Sequence, residues 1–212
     1  MPQIQVLLKI AVLVMSFLSG IIVYYLISTD ENAKKKSSVE AIISLTINFI
    51  IYIWLGKIII NITKFIRDPL SVLAYPSNAD AVYIATILLF INLLYRKFRN
   101  DEQLSTILFA FIPVFLISSF VYEFYQLIVE RSVYNWLYLI FLGLSSLIYV
   151  FVYGKISIRR LSVGFGLSIL IGQFILSLLH QLTVFGYRLS PFYFAGLALL
   201  GLMAILMTKR KV

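Results

Sequence analysis

The stretch VEAIISLTINFIIYIWLGKIIIN, Val39 to Asn61, decides the fold class. Between Glu40 and Lys57 it carries no charge, and it has the roughly 20 residues that a helix needs to cross a hydrocarbon core. Six similar runs flank it, over about Ile4–Ser28, Ala79–Tyr95, Leu104–Ile128, Tyr134–Tyr153, Ser162–Val184 and Pro191–Met207. The 212 residues are 61% hydrophobic and 13% charged, against about 25% charge in a soluble domain. The pattern predicts an all-α membrane protein, a seven-transmembrane helical bundle. No long polar linker divides it, so residues 1–212 read as a single integral membrane domain. The first run is too long for a signal-peptide core and lacks a basic leader, so it reads as a retained span.

Working outward, the basic residues fall at alternate ends of the runs. Lys34, Lys35 and Lys36 precede the quoted stretch; Arg96, Lys97 and Arg99 follow the third run. Lys155, Arg159 and Arg160 follow the fifth, and Lys209, Arg210 and Lys211 close the chain. The opposite connections hold only Lys64, Arg67, Arg131 and Arg188. This bias puts the N-terminus outside and the C-terminus in the cytoplasm, as expected for a bacterial plasma-membrane protein. It also explains the formal net charge of +9 without a nucleic-acid partner.

After Asn61 comes KFIRDPLSVLAYPSN, Lys64 to Asn78. Asp68-Pro69 and Tyr75-Pro76 interrupt helices. Phe65, Leu70, Val72, Leu73 and Tyr75 are too apolar for a free loop. The segment reads as re-entrant or interface-lying, with Lys64 and Arg67 at phosphate level, or as a plain interfacial connector.

Ionisable groups inside the apolar runs are Lys9, Glu40, Lys57, Glu123 and His180. Such groups are costly in a bilayer and point to function. Glu40 and Lys9 lie near run ends, where solvation or snorkelling suffices. At 1.5 Å per residue, Lys57, Glu123 and His180 come out about 27–29 Å from the cytoplasmic ends of their helices, in the outer third. Gln173, Ser177 and His180 have the spacing of one helix face. Either these groups form a polar pocket, or each snorkels separately, or Lys57 and Glu123 make a structural ion pair.

The sequence offers little for catalysis. With no cysteine and one histidine, it cannot build the usual zinc sites, and no metal or other cofactor is implied. There is no G-x-S-x-G, Walker A or H-E-x-x-H motif. Ser177 and His180 share one helix, which disfavours a triad with Glu123. Gly164, Gly166, Gly172, Gly196 and Gly201 read as close helix contacts.

Several segments resemble the prolipoprotein diacylglyceryl transferases. IIYIWLGKIIINITKFIRDPLSVLA is similar to that family's second span, its G-A-R-x-G-Y element and the following N-P-L, with Lys57 where the family has arginine. ERSVYNWLYLIFLGLSSLIYVFVYGK resembles the R-x-P-S-Q-L-Y-E-A helix. GFGLSILIGQFILSLLH resembles the Y-G-x-x-R-F-x-x-E-F-x-R span, and FGYRLSPFYFAGLALLGLMAILMTKRK the closing G-Q-x-L-S-x-P helix and basic tail. The family has seven spans and an outside N-terminus, and transfers diacylglyceryl from phosphatidylglycerol to a lipoprotein cysteine. The departures are large. YPSNADAVY stands where H-G-G should, and VYEFYQLIVERS where G-R-x-G-N-F-x-N-x-E should. Gln173, Ser177 and His180 replace an arginine, a glutamate and an arginine. The resemblance thus implies the scaffold without the transferase chemistry. It implies a lipid-headgroup site bordered by Lys64, Arg67 and Tyr75.

The expected function is therefore binding of a membrane phospholipid or a membrane protein partner, without catalysis. Candidate binding residues are Lys57, Lys64, Arg67, Tyr75, Glu123, Gln173, His180 and Arg188. The rival readings are a transporter or channel subunit, and an active lipid transferase using Glu123 or His180 as base.

Overall fold

A computed structural model describes the backbone of residues 2–74, 77–99, 101–129 and 136–209. Side chains are described at 7–74, 77–95, 107, 109–129, 136–157 and 160–202. Helix accounts for 86% of the structure. The elements are α1 (Pro2–Ile27), α2 (Asn32–Ile60), α3 (Ile62–Arg67), α4 (Pro69–Ala74), α5 (Ala79–Arg99), α6 (Asp101–Val129), α7 (Trp136–Val152), α8 (Ile158–Leu179), strands β1 (Thr183–Val184) and β2 (Tyr187–Arg188), and α9 (Pro191–Lys209).

Four of these helices, α1, α2, α6 and α8, are long and apolar enough to cross a membrane, and shorter apolar helices lie in α5, α7 and α9. Their outward faces carry many exposed large apolar side chains, such as Ile47, Ile51, Trp54 and Ile59 on α2 and Leu144, Leu147 and Phe151 on α7. Water would not leave so much apolar surface uncovered on a monomer. The surface is compatible with a membrane location.

Helices run further into the charged residues than the apolar runs suggested. The lysine triplet lies within the first turns of α2, and α5 continues through Arg96, Lys97 and Arg99. Neither cluster is a loop. Lysine and arginine are good helix formers, so the apolar limit of a run is not its helical limit.

The chain divides into two compact units, residues 36–107 and residues 1–35 with 108–212. In the first, α2 buries a narrow stripe of Ser38, Ile42, Leu45, Ile53, Gly56 and Lys57. Gly56 lets α5 approach: a β-carbon there would lie 2.7 Å from the Ala81 carbonyl oxygen and 3.1 Å from its Cα. Ala81 and Ala85 are fully buried on the facing side of α5, and Asn92 donates to the Tyr52 hydroxyl at 2.8 Å. Asn78 caps α5 by accepting from the Ala81 amide.

In the second unit α1 turns Ser16, Gly20 and Tyr24 inward. A β-carbon at Gly20 would collide with the Ser118 hydroxyl and the Val114 carbonyl of α6. Gly172 likewise admits the Phe141 ring, whereas nothing lies within 4 Å of a β-carbon at Gly164 or Gly196. The tightest backbone approaches thus fall at Gly20 and Gly56, and the expectation of close contacts fails at Gly164 and Gly196.

The sixth run does not stay helical to Val184. α8 stops at Leu179, and residues 183–188 form an antiparallel hairpin. Its turn holds Phe185 at φ 48° and Gly186 at φ 81°, the paired positive angles of a tight hairpin turn. Phe185 packs edge-on against Phe115 and Tyr122 of α6. Leu182, Val184 and Leu189 are buried around it.

Candidate functional site

Among the candidate residues, Lys57, Glu123 and Gln173 are buried, and Lys64, Arg67, His180 and Arg188 are exposed. Tyr75 lies outside the described residues. His180 caps α8 in extended conformation, so it does not continue the helix face of Gln173 and Ser177. That grouping is corrected, because the chain leaves the helix at Leu179.

Lys57 is 6% exposed, and its ammonium donates to the Leu73 carbonyl oxygen at 2.9 Å. Leu73 lies in the last turn of α4, where carbonyls lack helical partners and attract a cation. The segment before it is two short helices. Asp68 stands between them at φ −147° and ψ 88°, the extended backbone favoured before a proline. Asp68 also starts α4, accepting from the Ser71 amide at 3.1 Å. Val72 is buried, while Ile62, Ile66 and Leu70 are exposed beside exposed Lys64 and Arg67. The pair presents apolar side chains and cations together.

The other unit holds a different polar centre. Gln173 of α8 donates from Nε2 to the Tyr138 hydroxyl of α7 at 3.0 Å, fully inside the unit. Glu123 of α6 is 3% exposed and lies within electrostatic reach of the same hydroxyl. Three helices thus bring an amide, a phenol and a carboxyl together. The Tyr138 oxygen accepts from Gln173, leaving its own proton to donate. One turn along α8, Ser177 is buried and bonds to the Phe174 carbonyl at 2.7 Å.

Tyr138 was missed in the sequence because a tyrosine near a helix end reads as an interfacial aromatic. Eleven residues along α7 from Tyr138 lies Tyr149, and eleven residues back along α8 from Gln173 lies Ser162. The two helices are antiparallel, so these hydroxyls arrive at one level, about 16 Å from the first pair. They face each other without meeting hydrogen-bond geometry. Beyond them, the Tyr153 hydroxyl lies against Ser28 and the Thr29 backbone, near Asp30. Ser118 and Ser119 of α6 and Ser146 of α7 are buried in the same unit.

No group of His, Asp and Glu among the described residues is placed to hold a metal ion. No protein-family model, curated protein or solved structure matches the chain.

Proposed function

We propose that the chain is a seven-span protein of a bacterial plasma membrane, with its N-terminus outside and its C-terminus in the cytoplasm. In this reading it binds an anionic phospholipid at α3–α4, on a scaffold like that of the diacylglyceryl transferases and without their chemistry. The observation that carries the reading is the α3–α4 pair itself. Ile66 and Leu70 are 75% and 78% exposed, next to the cations of Lys64 and Arg67. Acyl chains satisfy the first kind of group and a phosphate the second. The Lys57 bond to Leu73 supports it further, because it ties the segment to α2. A tethered segment loses less freedom on binding than a free loop.

The experiment is mass spectrometry of phospholipids retained by the purified protein, for the native chain and for Lys64→Gln/Arg67→Gln. Anionic phospholipid enriched on the native chain and lost from the variant supports the reading. Equal retention by both removes α3–α4 as the site. Transfer of a diacylglyceryl group to a lipobox peptide by the purified chain would overturn the non-catalytic part.

A further inference from the structure

The polar side chains of α2 are not all satisfied within the chain. Thr46 donates to the Ile42 carbonyl at 2.9 Å, and Asn61, just past the helix, to the Lys57 carbonyl at 3.1 Å. The Tyr52 hydroxyl accepts from Asn92 of α5. Asn48 makes no hydrogen bond with any described residue, and neither does Ser44 one turn before it. Both are half-buried. Asn48 stands midway between Glu40 and Lys57, about 12–14 Å along the axis from each. Acyl chains offer an amide no partner at that depth, and water does not reach it. Another protein segment can supply what lipid cannot.

Asn48 belongs to a seam. Ser37, Ala41, Ser44, Asn48, Ile51 and Leu55 follow one another at alternate steps of four and three residues. That is the heptad spacing along which two helices wind round each other. The seam lies about 130° round the axis from the stripe that α2 buries within its own unit. It is open, with Ile51 and Leu55 45% and 42% exposed. Ser37, Ala41 and Ser44 are small enough to let a second backbone come close, and Ile51 and Leu55 fill the space beyond. A single asparagine in an apolar seam fixes register and copy number in helix pairs.

We propose that two copies of the chain pair along this seam of α2, with Asn48 of one copy bonded to Asn48 of the other. The choice of occupant follows from the amide and from the membrane. A carboxamide carries both donor and acceptor, so it is completed by a copy of itself. Copies inserted in one orientation hold Asn48 at one depth. A two-fold axis along the membrane normal then brings the two amides face to face, each N–H donating to the other's carbonyl oxygen. An unrelated helix would need a polar group of its own at that level. The Ser44 hydroxyls, one turn away on the same seam, meet at the same junction. The pairing does not rest on lipid binding at α3–α4, whose exposed side chains it leaves free.

The test uses the full chain, labelled with donor or acceptor dye through Lys155→Cys, in phosphatidylcholine–phosphatidylglycerol vesicles over a range of protein-to-lipid ratios. Energy transfer should rise to the plateau of a dimer and fall when unlabelled chain is added. Asn48→Val should raise the dissociation constant about tenfold, the equivalent of the interhelical bonds it removes. Ala41→Trp should abolish pairing, while Ile50→Trp, exposed but off the seam, should leave it unchanged. A chain that stays monomeric, or a dimer that Asn48→Val and Ala41→Trp leave as tight as before, overturns the proposal. Oxidative cross-linking gives a second reading with Asn48 and Ala41 intact. In membranes Ser44→Cys should form a linked pair and Ile50→Cys should not. No link at Ser44→Cys, or equal linking at both positions, overturns the seam.

Discussion

The Lys57 ammonium and the Leu73 carbonyl, sixteen residues apart in sequence, meet at 2.9 Å. This bond ties α4 to the end of α2. Lys57→Met keeps the stem length and removes the donor, leaving a carbonyl with one partner fewer. The variant should lose about 1–3 kcal/mol of stability, the usual cost of unpairing a buried polar group. Thermal unfolding in detergent would read the loss. Faster proteolytic cutting between Asp68 and Asn78 should accompany it, and an unchanged cutting rate would show that other contacts hold the segment.

Tyr138 and Gln173 should behave as a coupled pair. Tyr138→Phe removes the acceptor of the Gln173 amide, and Gln173→Leu removes the donor to Tyr138. Each single change should destabilise by about 1–3 kcal/mol, and the double change by less than their sum. Strict additivity in unfolding measurements would mean that the bond contributes nothing.

Gly56 and Gly196 offer a matched contrast. A β-carbon at Gly56 meets backbone atoms of Ala81, which cannot move aside as a side chain could, while one at Gly196 meets nothing within 4 Å. Gly56→Ala should therefore cost about 1–3 kcal/mol through overpacking. Gly196→Ala should be neutral, or stabilising by up to about 1 kcal/mol through helix propensity. Melting temperatures of the two variants decide the matter.

The chain has no cysteine, so single introduced cysteines report topology cleanly. With the N-terminus outside, Ser77→Cys and Arg188→Cys should react with an impermeant maleimide in intact cells. Lys35→Cys and Lys155→Cys should react only after permeabilisation. The opposite pattern would invert the orientation.

The all-helical class was legible because apolar runs this long leave the backbone no other way to satisfy its hydrogen bonds in a bilayer. The break at Asp68-Pro69 was legible from proline chemistry. The end of α8 was not. QLTVFGYRLS is apolar enough to extend the run, and the Phe185-Gly186 turn that stops it is a weak signal beside that length. The cost of a charge facing lipid singled out Lys57, Glu123 and His180, but not which would turn inward: Lys57 and Glu123 are buried and His180 is exposed. The facing of Ser118, Ser119 and Ser146 could not be read, because a helix apolar all round has no polar side to orient it. Their burial comes only from the packing of their unit.

The hairpin between α8 and α9 has a consequence for biosynthesis. Phe185 completes an aromatic cluster with Phe115 and Tyr122 on α6, which leaves the ribosome long before Phe185 does. Through the making of α7 and α8, that aromatic face of α6 waits uncovered by its final neighbour. A chain terminated between Leu179 and Phe185 would keep the four long apolar helices α1, α2, α6 and α8 and still carry an unfinished surface. Quality-control proteases would have a mark by which to tell the truncated product from the finished one.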